Sequence, residues 1–169
     1  MNLFIPQSQL TFIFFLLLHI ALTSCKTSSA QHLKDYPQKN LILNQKNRVK
    51  IFVADSPVRQ RRGLSGIQSK DFPGDWGMLF PADKLSRRQF WMPDTHFDLD
   101  IIFMSADYYV LDIHRGLKHF PFKQPQHKIP LSKEVLSQHV LELRSDSPHA
   151  ASIQPGMILQ FESLAGKND

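Results

Sequence analysis

Apolar and polar positions alternate along this chain in short runs, and the runs are punctuated by proline, glycine and aspartate. VKIFVA (49–54) is a β-branched and aromatic run suited to a strand. After it, Asp55 or Ser56 can cap a helix whose first position is Pro57 and whose stop is Gly63. GMLF (77–80) and RQFWMP (88–93) read as two further strands, and LDIIFM (99–104), YYVLDIHR (108–115), HVLELRS (139–145) and MILQFES (157–163) as four more. Ser147 and Pro148 suit the start of a second short helix, SPHAASI. QPGM (154–157) fits a type II turn with Gly156 where a positive φ is wanted. Residues 116–130 carry too many prolines for a central strand or regular helix and read as a long surface loop. Many short strands, two brief helices and no βαβ rhythm predict a mainly-β fold, a single compact antiparallel sandwich or barrel-like domain.

The first two dozen residues follow a different pattern. An apolar core from Leu10 to Leu22 is too short to cross about 30 Å of hydrocarbon, and residues 1–24 contain no Lys, Arg, Asp or Glu. This reads as a signal peptide. Leu22, Thr23 and Ser24 then precede Cys25, the single cysteine, and small residues before a cysteine resemble the lipobox of bacterial lipoproteins. The resemblance implies cleavage before Cys25 and acylation of it. Two or more acyl chains, at about 0.8 kcal/mol per buried methylene, anchor a protein stably. Lys26, in place of an aspartate, implies sorting to the outer membrane. The chain thus divides into a leader (1–24), a lipidated cysteine with a flexible tether (25–39) and a mainly-β domain (40–165).

Charge and cysteine use bound the partners. The formal net charge of +5 belongs wholly to the exported part, which suits anionic headgroups or an anionic or carbohydrate envelope component. The export route argues against nucleic acid, and no disulfide or thiolate metal site can be built. No cofactor fingerprint, G-x-S-x-G, P-loop or HExxH is present, so no catalytic residue is assigned.

RRGLSG, GMLF, FWMPDTHFDLDIIF, VLEL and IQPGM together resemble the ordered motifs of domain-of-unknown-function family 192 (the UPF 0127 type). Gly63, Leu64, Gly77, Met78, Leu79, Phe80, Phe90, Trp91, Met92, Asp94, Asp100, Leu141, Glu142 and Gly156 fill matching positions, while Pro93 stands where that family usually has lysine. The resemblance implies a compact mainly-β domain, often exported, and carries no activity with it.

Asp94, His96, Asp98 and Asp100 occupy every second position, so on a strand they would share one face about 6.6 Å apart. Such a row is a solvated or salt-bridged face with nearby arginines as partners, a polar ligand pocket, or a site for zinc, manganese or iron(II). Trp91 reads first as core, with a sugar or aromatic platform as the alternative. Asp100, between Leu99 and Ile101, needs a backbone amide set or an arginine if buried. The candidate ligand site combines Trp91, Asp94 and Asp100 with Arg61 and Arg62. The reading that follows is a lipid-anchored extracytoplasmic, non-enzymatic binding or accessory module. Its alternatives are a metal-assisted hydrolase using the Asp94/His96/Asp98/Asp100 row and a purely structural envelope protein.

Overall fold

The computed structural model describes residues 29–44, 47–121 and 128–163. Cys25 and the apolar leader lie outside the described residues. The fold is mainly β. Strands β1 (Gln38–Ile42), β2 (Arg48–Val53), β3 (Trp76–Phe80), β5 (Leu99–Met104), β6 (Val110–Leu117), β8 (His139–Arg144) and β9 (Gln160–Ser163) form one sheet in the order β6-β5-β8-β3-β2-β1-β9. Strands β4 (Ser86–Arg88) and β7 (Val135–Ser137) form a separate pair. Helix α1 (Pro57–Arg62) connects β2 to β3.

The two edges of the large sheet are brought together. Tyr109 bridges Ile158, Val110 N–H donates to the Met157 carbonyl, and Leu159 N–H donates to the Tyr108 carbonyl. Bridging the edges curls the sheet and removes much of the exposed strand margin that would invite pairing with another chain. The Gln154–Met157 turn makes this meeting possible: Met157 N–H closes on the Gln154 carbonyl, with Gly156 at φ +94°.

Each face of the curled sheet carries its own core. Ile51, Leu79, Ile102, Met104, Leu141 and Leu143 pack on one, with Ala150 and Ile153. Phe52, Met78, Phe80, Leu99, Ile101, Phe103 and Val140 pack on the other. Strand β5 is buried at all six positions, which is why its sequence is nearly continuous in apolar residues rather than alternating.

Gly77 marks where the first face is tightest. A Cβ there would lie 2.6 Å from Leu143 Cδ2, 2.8 Å from Ile51 Cδ1 and 3.0 Å from the Glu142 carbonyl oxygen. The glycine of GMLF is therefore a packing requirement. Gly77→Ala is expected to destabilise the domain by about 1–3 kcal/mol, seen as a lower urea midpoint at unchanged slope.

Several sequence expectations are corrected. The β2–α1–β3 segment is a crossover between parallel neighbours, so the sheet is not purely antiparallel. Strand pattern alone did not separate this single crossover from a hairpin, because α1 is only six residues long. The second helix is a 3₁₀ turn (Ala150–Ser152), too short for α-helical bonding. RQFWMP is regular strand only at Arg88, with an isolated bridge from Trp91 to Leu131, and the chain then turns at Pro93 and Asp94. The expected tether is, over its described part, built into the domain: a 3₁₀ turn spans Gln31–Asp35, and Leu33 and Tyr36 are buried. Two apolar anchors only three residues apart gave too little pattern to signal this.

Candidate functional site

The face that carries Phe52, Met78, Phe80 and Leu99 is only partly covered, and a cleft of about 600 Å³ opens onto it. One wall is α1 and the Gly63–Leu64–Ser65 segment after it. Ser56 caps this helix by accepting from Arg59 N–H at 3.4 Å, and Gln60 ties it to the sheet through the Pro81 carbonyl at 2.8 Å. Gly63 ends it at φ +49°, a conformation that other residues adopt only with strain, and sits 3.4 Å from the Phe80 ring at the Cβ position. The opposite wall is β4 with residues 89–93.

That second wall is pinned from both sides. Phe90 is held by Ser132 through one backbone and one side-chain bond: Ser132 N–H donates to the Phe90 carbonyl, and Ser132 Oγ accepts from Phe90 N–H. Ser65 Oγ donates to the Pro93 carbonyl at 2.9 Å. Phe90 packs edge-on against Phe80, and Met92 is buried. The chain between them must therefore point its side chain outward, and Trp91 is 58% exposed. The expectation of a core tryptophan fails for that reason.

Glu142 forms part of the cleft floor. On β8 it stands between Met78 of β3 and Ile101 of β5, both fully buried, and is itself only 4% exposed. No side chain or backbone group among the described residues hydrogen-bonds its carboxyl group. Burial pushes its pKa up to about 8, so at neutral pH it is a carboxylic acid that can donate a hydrogen bond. The arginines of the cleft do not offset that burial. Arg61, Arg62, Arg87 and Arg88 line the walls. Arg87 pairs with Glu134 and Arg88 donates to the Gln138 carbonyl, whereas Arg61 and Arg62 form no ion pair among the described residues. An apolar floor with one neutral acid, cationic walls and an exposed indole can take a small anion that also carries a ring.

The alternating row does not come together. Asp94 sits in the turn at φ +47°; its carbonyl accepts from Gly66 N–H at 2.8 Å, and its carboxylate meets His96, whose Nε2 lies 3.0 Å from Asp94 Oδ1. Asp98 accepts from Lys118 Nζ, the His119 backbone and the His119 ring; although burial pushes it up, these bonds draw its pKa down to about 2. Asp100, 4% exposed, faces the opposite core and accepts from Arg115, Gly116 N–H and Ser145. Only residues from Leu99 onward are strand, so the period-two geometry that would align the four side chains never exists. Among the described residues no three His, Cys, Asp or Glu side chains are placed to share a metal ion. Of the candidate ligand residues, Trp91, Arg61 and Arg62 line the cleft, while Asp94 and Asp100 do not. Arg59 is engaged elsewhere, with Asp55 and the Asp35 carbonyl.

Glu142 was not singled out as a site residue from the sequence. The available signal was an acid flanked by Leu141 and Leu143 in a strand otherwise fit for burial on both faces.

The family model for DUF192, uncharacterized ACR, matches residues 40–161. The chain belongs to the DUF192 family. Within this DUF192 domain, the RRGLSG, GMLF, FWMP and LEL segments all contribute residues to the walls or floor of the cleft, through Arg62, Gly63, Phe80, Phe90, Trp91 and Glu142 among others. Two crystal structures resemble the DUF192 fold seen here. One is a Sinorhizobium meliloti 1021 protein provisionally described as a transcription regulator, 24% identical, covering 80% of this chain and 97% of its own, with a TM-score of 0.56. The other is a protein of unknown function from Novosphingobium aromaticivorans, 23% identical, covering 73% of this chain and 83% of its own, with a TM-score of 0.54. These likenesses concern the fold. No curated protein matches the chain.

Proposed function

We propose that this protein is a lipid-anchored extracytoplasmic module that binds a small organic anion, such as a phosphorylated or carboxylated sugar, in the Glu142 cleft. The observation that carries the reading is Glu142 itself. A buried, unpartnered acid costs stability, and at the floor of an open cleft it gains a partner when a ligand acceptor arrives. Arg61 and Arg62 supply charge for the anionic group, and the Trp91 indole offers a face to a sugar ring. The lipobox-like stretch before Cys25 supports the anchoring half of the reading, with the outer membrane as its destination.

Emission of Trp91, read in a Trp76→Phe background where it is the remaining tryptophan, provides the binding signal. N-acetylglucosamine 1-phosphate is expected to shift or quench it saturably, neutral N-acetylglucosamine far less, and Arg61→Ala/Arg62→Ala is expected to weaken the phosphorylated ligand at least tenfold. Equal, non-saturating responses from both sugars and both proteins would remove the reading. Labelled fatty acid should enter the wild type and not Cys25→Ala; equal labelling would refute the anchor. A raised carboxylic acid also suits a general acid, and release of inorganic phosphate from the same ligand, lost in Glu142→Gln, would favour that second reading.

A further inference from the structure

The domain begins tightly held. Gln68 N–H donates to Ser29 Oγ at 2.8 Å, and Ser29 donates through its N–H and its hydroxyl to the Asp71 carboxylate at 3.2 and 2.5 Å. Leu33 and Tyr36 then bury themselves in the core. Only four residue steps separate Ser29 from Cys25, so at about 3.6 Å per residue an acyl anchor on that cysteine lies within roughly 14 Å of this edge of the domain. So short a leash would keep this edge of the domain near the bilayer.

That side carries a groove of about 370 Å³, separate from the Glu142 cleft, to which Lys34, Lys50 and Lys70 contribute. Lys50 Nζ lies 4.6 Å above the Trp76 ring and 4.9 Å above that of Phe52. Lys34 and Lys70 are exposed. The acid lining the groove, Asp71, is engaged by Ser29. We propose that this lysine and tryptophan face docks on anionic phospholipid headgroups, so that the domain is held at the membrane in one orientation rather than swinging on its anchor. The proposal rests on acylation of Cys25, as put forward above. Its chemistry is that of interfacial basic patches: ammonium groups meet phosphates within a Debye length, and the half-buried Trp76 indole beneath Lys50 suits the headgroup level.

The chain has two tryptophans, so Trp91→Phe leaves Trp76 as the single donor in the full acylated protein. The protein is placed in vesicles of phosphatidylethanolamine with either phosphatidylglycerol or phosphatidylcholine, each with a trace of headgroup-dansylated lipid. Energy transfer from Trp76 is expected to be at least twofold higher with phosphatidylglycerol. It should fall to the phosphatidylcholine level in Lys34→Glu/Lys70→Glu, whose fold is checked by circular dichroism. Equal transfer in the two vesicles, or transfer insensitive to the charge reversal, overturns the docking while leaving the anchor intact. A protein that neither takes up labelled fatty acid nor floats with vesicles overturns the anchor and the docking together.

Discussion

Glu142→Gln is expected to be about 1–2 kcal/mol less stable than the wild type near pH 4 and to exceed it by roughly 3–4 kcal/mol at pH 9. In the unfolded chain the glutamate loses its proton near its ordinary value of 4.5, whereas in the folded chain burial holds the proton until about pH 8. Across that window the folded state binds more protons than the unfolded state. Wild-type stability therefore falls as pH rises from about 4.5 and levels off only above about 8. Glutamine does not titrate, and its buried amide adds only a pH-independent cost of about 1–2 kcal/mol. Urea denaturation of both proteins at pH 4, 7 and 9 measures the difference. Parallel stability curves would show that Glu142 ionises freely in the folded protein. The same titration bears on the cleft. Above pH 8 a carboxylate at its floor would repel an anion, so wild-type affinity should decline there and Glu142→Gln affinity should not. Arg61, Arg62, Arg87 and Arg88 line the cleft, and burial draws Arg88 below the ordinary arginine value.

The strand inventory was legible where burial wrote a clear pattern. VKIFVA, GMLF, LDIIFM and HVLELR fall on β2, β3, β5 and β8, and Ser56, Pro57 and Gly63 bound α1 as their chemistry dictates. What could not be read was pairing. The parallel β2–β3 contact depends on where the chain returns after α1, and nothing local in either strand encodes it. The site divides in the same way. Trp91, Arg61 and Arg62, chosen for residue types suited to binding, line the cleft, but the aspartate row was overvalued. Alternation has geometric meaning only on a strand, and Pro93 with the Asp94 turn withdraws the strand from most of that row. Glu142 was passed over for the converse reason. A single acid in an apolar strand looks like a tolerated exception until the sheet shows that its face borders a cleft.

Asp100→Ala should be the most damaging change in that row, costing about 2–4 kcal/mol, of the order of 10 °C in Tm. The carboxylate is 4% exposed and accepts at 2.7 Å from Arg115 Nη1, 2.8 Å from Gly116 N–H and 2.8 Å from Ser145 Oγ. Removing it takes an acceptor from three donors, one of them charged. Arg115 is the larger part of the effect, because it also donates to the carbonyls of Ala150 and Ile153 and so fastens the 3₁₀ turn that packs on the core of Ile51, Leu79 and Leu143. Its side chain is 38% exposed, so water relieves part of the lost pairing and the cost falls below that of a fully buried pair. Asp98→Ala is the control: its partners Lys118 and His119 are at least half exposed, and its loss should cost no more than about 1 kcal/mol. If Asp100 acts through Arg115, then Asp100→Ala and Arg115→Ala are non-additive, the double variant being little worse than the more damaging single one. Additive losses would mean that the carboxylate serves Gly116 and Ser145 alone. Because neither residue borders the cleft, Asp100→Ala should keep its response to N-acetylglucosamine 1-phosphate at temperatures where it is folded, which separates the pin from the site.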